Sequence, residues 1–166
     1  MIQKKIWRFI VDFFEIYLPV ISFFSMFLAF ILQIFTRYVL GAQVEWTYEV
    51  TVIGFMWVVA LGGSYASRLR EHVSFTMIYN KMGVRGKALT EIISDIILIT
   101  AFAIMFLPVI EFVDFMNIKK TAVMKVPISV LYAPFVYFII SSAVYIARDT
   151  IAAVKTFRNY KDKGAA

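Results

Sequence analysis

The residues best suited to chemistry are two acids in the segment Glu45-Trp46-Thr47-Tyr48-Glu49. Carboxylates four residues apart share one face of a helix, where they can bind a cation or a basic side chain. The helix dipole also favours acids at a helix N-terminus, and Trp and Tyr are common at the depth of lipid headgroups. Arg37 precedes the segment and is the expected ion-pair partner of Glu45 or Glu49. We predict that Arg37, Glu45, Trp46 and Glu49 form an outer-face network or a subunit contact rather than a metal site.

Two other titratable residues have both a functional and a plain interpretation. Asp95 is the one charged residue inside a predicted span, where it is either an ion or proton ligand or an interfacial carboxylate that caps a helix or pairs with a nearby Arg or Lys. His72, the single histidine, is either a pH-sensitive group or a solvated surface residue. We expect the plain interpretation for both residues. One copy of this chain cannot hold a haem between two histidines, and the absence of cysteine excludes disulfides and thiol catalysis.

Four long apolar stretches, 16–35, 50–66, 92–110 and 126–147, separate these residues. Each is close to the roughly 20 residues that a helix needs to cross a bilayer. Of the 166 residues, 61% are hydrophobic, against about 45–50% in a soluble domain. The sequence therefore predicts an all-α integral membrane protein with four transmembrane helices in one domain.

Charge outside the spans predicts the orientation. The segments before the first span, between the second and third, and after the fourth hold 13 basic residues, and the opposite side holds 4. By the positive-inside rule both termini are cytoplasmic, and residues 148–166 form a cytoplasmic helical extension and tail. Residues 1–15 separate into an apolar arc and a polar arc that includes Asp12 and Glu15, which predicts an amphipathic helix in the headgroup layer. The basic residues expected to contact lipid phosphates are Lys4, Lys5, Arg8, Arg68 and Arg70.

Small residues near the end of the second span predict close helix packing. Gly62 and Ala66 are four residues apart, a spacing that lets helix backbones approach closely in lipid, and Gly63 forms a similar pair with Ser67. We expect Gly62, Gly63 and Ala66 to pack within the domain or against another subunit. A phosphate-binding glycine loop needs a strand-to-helix context that is missing here.

The order of these motifs resembles the small membrane subunit, of the DctQ type, of tripartite ATP-independent periplasmic (TRAP) transporters. The resemblance covers nearly the whole chain. The motifs that carry it are Arg37-Tyr38, Glu45-Trp46-Thr47-Tyr48-Glu49, Gly62-Gly63, Arg68 with His72-Val73, and Pro127 at the start of the last span.

The resemblance implies a scaffold subunit of a sodium-driven importer in the bacterial inner membrane. In such systems a periplasmic binding protein delivers an organic acid, such as a C4-dicarboxylate or sialic acid. A large multi-span subunit carries the substrate and sodium sites, and the small subunit packs beside it. We expect membrane lipids as further partners, and no cofactor, catalytic residue or nucleic acid. The alternatives are a small autonomous four-span exporter and a membrane anchor of a redox complex.

Overall fold

The structure, a computed structural model, describes residues 2–42, 44–69 and 84–163, with side chains for 5–42, 44–69, 86 and 89–155. Arg70, His72 and the side chain of Lys4 therefore lie outside the described part. Its α-helices are α1 (Ile2–Asp12), α2 (Leu18–Val39), α3 (Glu45–Arg68), α4 (Val84–Phe115) and α5 (Ser129–Lys163). A π-helical turn, Phe13–Tyr17, joins α1 to α2, and a 3-10 turn, Met116–Ile118, follows α4.

Four helical segments are long and apolar enough to cross a membrane, namely Lys5–Val39, Glu45–Arg68, Leu89–Ile118 and Ser129–Lys155. The described residues contain no β-strand, only an isolated bridge between Lys120 and Pro127. The predicted fold class, an all-α protein with four membrane-spanning helices, is confirmed.

The spanning helices stand in a single row. Helix α2 packs on α3, α3 packs on α5, and α5 packs on α4. The order in space is therefore α2, α3, α5, α4, with the third span of the sequence at an edge. Ile97, Ile104 and Leu107 on α4 are 63%, 69% and 65% exposed within the chain. Lipid tails or partner helices are as apolar as these side chains, so the row needs no second layer of its own.

Glycines lie in two of the three seams of the row, between α2 and α3 and between α3 and α5. A Cβ on Gly54 of α3 would lie 2.8 Å from Met26 Cβ and 3.0 Å from the Ser22 carbonyl oxygen of α2. A Cβ on Gly63 would lie 2.9 Å from Phe138 Cε2 of α5. Gly62 has open space where its side chain would be, and Ala66 is half-buried. Of the predicted packing residues, Gly63 thus lies in a seam within the chain, and Gly62 faces outward.

Two prolines shape the helices. Pro19, in the first turn of α2, has no N–H to donate to the carbonyl of Glu15, and the helix widens there into the π turn, in which the Leu18 N–H bonds the Phe13 carbonyl. Residues 2–15 and the first span therefore form one continuous helix. The placement of this segment along the membrane interface stays a prediction.

Pro134, inside α5, leaves the carbonyl of Val130 without its helical donor. The indole Nε1 of Trp57 donates to that oxygen at 3.0 Å. A bond between α3 and α5 thus replaces a bond within α5, as the lack of water in a bilayer requires.

Candidate functional site

Polar side chains gather at the two ends of the row. The end with Glu15, Arg68 and Tyr145 is termed the α1 end, and it is the end that the sequence assigns to the cytoplasm. The end with Arg37, Glu45 and residues 119–128 is termed the loop end.

Glu15 is the centre of the cluster at the α1 end. It lies in the π turn and is only 2% exposed. Its Oε1 accepts hydrogen bonds from the hydroxyls of Tyr145 at 2.5 Å and Tyr137 at 3.3 Å. Its Oε2 accepts a bond from Arg68 Nη1 at 3.1 Å, and the same nitrogen lies 2.6 Å from Asp12 Oδ1. One carboxylate thus joins the π turn to both α3 and α5.

This position of Glu15 corrects the sequence interpretation, which grouped Glu15 with the solvent-facing arc of α1. The π turn changes the register of the helix at this residue, and Arg68 and the two tyrosines supply the donors that make burial of a charged carboxylate tolerable. Two sequence signals could have revealed it. Pro19 lies four residues after Glu15, and Tyr137 and Tyr145 are about two helical turns apart on α5.

Of the described side chains predicted to contact lipid phosphates, namely those of Lys5, Arg8 and Arg68, only Arg68 is held in this cluster. Its side chain is 30% exposed, and Asp12 and Glu15 both accept from its Nη1. Lys5 and Arg8 are exposed on α1. Lipid contact by these residues stays a prediction.

Serines continue the seam between α3 and α5. The hydroxyls of Ser67 and Ser142 are 2.8 Å apart, and Ser141 donates to Ser64 at 3.0 Å. Ser64, Ser67 and Ser142 are at most 2% exposed. Because small hydroxyl side chains allow close helix approach and also bond across it, they hold α3 against α5 in hydrocarbon.

Asp95 is half-buried on α4, where the hydroxyl of Thr150 on α5 donates to its Oδ2 at 2.9 Å. This contact is with a neutral hydroxyl, and the plain interpretation, a helix cap or a pair with a nearby Arg or Lys, stays a prediction. The contact also ties the edge helix to its neighbour.

Glu49 organises the loop end. The N–H groups of Val123 and Met124 donate to its two carboxylate oxygens at 2.7 and 2.8 Å. The loop is also closed by two backbone bonds, Thr121 to Val126 and Ile128 to Lys119, both of 2.9 Å. Its turn includes Lys125 in the left-handed region, at φ 56°. Glu49 therefore fixes the loop before α5 onto the start of α3.

A cavity of about 560 Å³ opens at the same end. Arg37, Glu45 and Glu49 all line it, between the end of α2, the start of α3 and the loop. No ion pair among the described residues joins Arg37 to Glu45 or Glu49, so the predicted pair is not formed. Glu49 is occupied by backbone amides, which side-chain patterns do not reveal. Trp46, the fourth residue of the predicted network, is 42% exposed and does not line the cavity.

In the described part of the chain, every buried side-chain nitrogen and oxygen has a hydrogen-bond partner. The clusters therefore form closed contacts that position helices and a loop. Together with the four spans, they define a multi-pass α-helical membrane protein whose buried polar side chains join helices to one another and to a loop.

A family model described as Tripartite ATP-independent periplasmic transporters, DctQ component, matches residues 26–156. The chain belongs to this family, the small component of TRAP transporters. The family is one of transporter components rather than enzymes. A search of curated proteins gave no match.

Proposed function

We propose that the chain is the scaffold subunit of a sodium-driven TRAP transporter in the bacterial inner membrane. A periplasmic binding protein delivers an organic acid of the C4-dicarboxylate or sialic acid type. A large multi-span subunit moves the acid with sodium, and this chain packs against that subunit and supports it.

The observation that carries the proposal is that the buried polar side chains of the described residues are already hydrogen-bonded, in a row of helices only one layer thick. A carrier binds its substrate near the bilayer midplane with polar groups that its own fold leaves available. Here the buried polar side chains that the structure describes already have hydrogen-bond partners within the chain, either other side chains or backbone groups. Such a chain suits the part of a transporter that stays fixed.

Glu15 bears on the alternative of an autonomous exporter, since that class needs a deep carboxylate. Glu15 is buried, but its two oxygens already accept from Arg68, Tyr137 and Tyr145. A carboxylate held by three donors on two other helices is suited to joining helices. It is poorly suited to releasing and rebinding a cargo.

The row also leaves surface for a partner. In the most apolar 18 residues of the third span, which includes most of α4, no residue is buried by the chain itself, and in those of the first span 11% of the residues are buried. Large apolar side chains are exposed on all four spanning helices, for example Phe24, Phe55, Ile97 and Val144. A large membrane subunit can cover part of this surface, and lipid covers the rest.

Reconstitution in proteoliposomes tests the proposal. With an inward sodium gradient and labelled organic acid, this chain alone should give no uptake. Uptake should require the large subunit and a loaded binding protein together with this chain. Transport by this chain alone, or full transport by the other two components without it, would contradict the proposal. Empty liposomes and a collapsed sodium gradient are the controls.

A further inference from the structure

We propose that the loop-end cavity binds one phospholipid with a zwitterionic, primary-amine headgroup, of the phosphatidylethanolamine type. The inference does not depend on the transport function. It rests on the charged side chains that line the cavity, on their depth in the membrane, and on the change from charged to apolar residues along the cavity wall.

The cavity presents one cationic and one anionic side chain that do not neutralise each other. Arg37 and Glu45 both line it, and no ion pair among the described residues joins them. Glu49, the other acid of the wall, is held by the amides of Val123 and Met124. A ligand with adjacent negative and positive groups matches Arg37 and Glu45 at the same time. Phosphoethanolamine has this pattern, with a phosphate for the guanidinium and an ammonium for the carboxylate.

The cavity lies at the depth where headgroups lie. Arg37 is two residues from the end of α2, and Glu45 is the first residue of α3. Both are therefore at the ends of spanning helices. Tyr48, which also lines the cavity, is 62% exposed, as is usual for an aromatic residue at the membrane interface.

The wall changes from charged to apolar with depth, as a phospholipid does. Gln33 is one turn deeper than Arg37 on α2, and its side-chain amide can donate to a glycerol ester carbonyl. Val52 is about two turns deeper than Glu45 on α3, and Leu131 of α5 closes the same wall. A volume of about 560 Å³ accommodates a headgroup, the glycerol and the first methylenes of the chains.

Headgroup chemistry separates this ligand from other lipids. Phosphatidylglycerol has the phosphate but no cation, so it leaves Glu45 facing negative charge. Phosphatidylcholine has a quaternary ammonium that cannot donate a hydrogen bond to Glu45. The site should therefore prefer the primary amine to both.

The test measures lipids retained by the purified full chain. The chain is placed in nanodiscs of equal parts phosphatidylethanolamine, phosphatidylglycerol and phosphatidylcholine with identical acyl chains. It is then extracted in mild detergent, and bound lipid is counted by native mass spectrometry. We expect one lipid per chain, with the ethanolamine lipid enriched about tenfold, the ratio that one charge-assisted hydrogen bond supports.

Two charge-removing variants assign the binding groups. Glu45→Gln should abolish the preference for the ethanolamine lipid, and Arg37→Gln should lower retention of all three lipids. The matched controls, Glu111→Gln and Lys120→Gln, remove exposed charges outside this cavity and should behave as the unmodified chain does. Circular dichroism checks that each variant is folded.

Equal retention of the three lipids by the unmodified chain would overturn the proposal. This measurement does not depend on the folding of any variant. Cavity variants that match their controls would also overturn it. If Arg37→Gln and Glu45→Gln weaken binding of another protein while lipid retention is unchanged, the cavity is a protein contact and the lipid site is refuted.

Discussion

Trp57→Phe tests a hydrogen bond between α3 and α5. In this bond the Trp57 indole donates to the Val130 carbonyl, which has no donor within α5 because of Pro134. In an unbroken helix the N–H of residue 134 would bond the carbonyl of Val130. Proline has no N–H, and Trp57 Nε1 donates to that oxygen at 3.0 Å instead. Phenylalanine keeps an aromatic ring in the seam but has no donor, and lipid offers no water to replace it.

The expected loss has two parts. Interhelical hydrogen bonds in membranes are worth about 0.6–2 kcal/mol, so we assign about 1 kcal/mol to the bond. The smaller ring loses about 1 kcal/mol of apolar contact. Trp57→Phe should therefore lower the free energy of unfolding by about 2 kcal/mol.

A double-mutant cycle separates the two parts. Pro134→Ala restores the N–H at position 134, so the Val130 carbonyl regains a helical partner. In that background Trp57→Phe should cost about 1 kcal/mol less than in the unmodified chain. The assay is reversible unfolding of the purified chain by sodium dodecyl sulfate in mixed micelles, followed by circular dichroism.

The control is Trp46→Phe, a change of the same size on the same helix at a 42% exposed residue. It should show no coupling to Pro134→Ala. If the effects of Trp57→Phe and Pro134→Ala add within about 0.3 kcal/mol, the indole does not serve the stranded carbonyl and the argument fails.

Four further outcomes are expected. Glu15→Ala should destabilise the purified chain by about 3 kcal/mol in the same assay, because it strands two tyrosine hydroxyls and one bond of a guanidinium; a loss below about 1 kcal/mol would show that the cluster is not important for stability. Glu49→Ala should speed cleavage of the loop before α5 by added protease, with Glu45→Ala as the control; equal rates would exclude the clamp. Gly63→Leu should cost about 1–3 kcal/mol through overpacking, whereas Gly62→Leu, facing open space, should change the isolated chain by under about 0.5 kcal/mol. Both termini should be cytoplasmic, so labelling of Ala165→Cys by an impermeant reagent outside intact cells would refute the orientation.

The spans and the fold class could be predicted from the sequence, because hydrocarbon imposes a length and polarity on each helix independently of its neighbours. The row could not. Hydropathy does not encode which helix packs on which, so nothing indicated that α4 would be at an edge. Gly63 was identified from its spacing. Gly54 has no small residue four positions away, and its role depends on the backbone of α2.

The polar sites show the same limit. Glu15 was assigned to a water-facing arc because helical periodicity assumes an α-helix, and the π turn breaks that assumption. Its partners come from α3 and α5, which are distant in sequence. Glu49 was expected to pair with Arg37 because opposite charges were visible, but its partners are backbone amides of a loop. Side-chain patterns contain no information about such amides.

These contacts explain how the row is held together when burial of apolar surface contributes little between helices in lipid. At the α1 end, Glu15 connects the start of α2 to α3 and α5. Along the middle, serine hydroxyls and the Trp57 indole join α3 to α5. At the loop end, Glu49 holds the segment that enters α5. The polar bonds therefore concentrate on α3 and α5, the central pair, whereas α4 is tied by Asp95 and by aromatic contacts such as Phe102 with Phe138. In such a row, polar bonds hold the central helices α3 and α5 together. The edge helices are therefore the ones that surrounding lipid or a partner subunit would stabilise most.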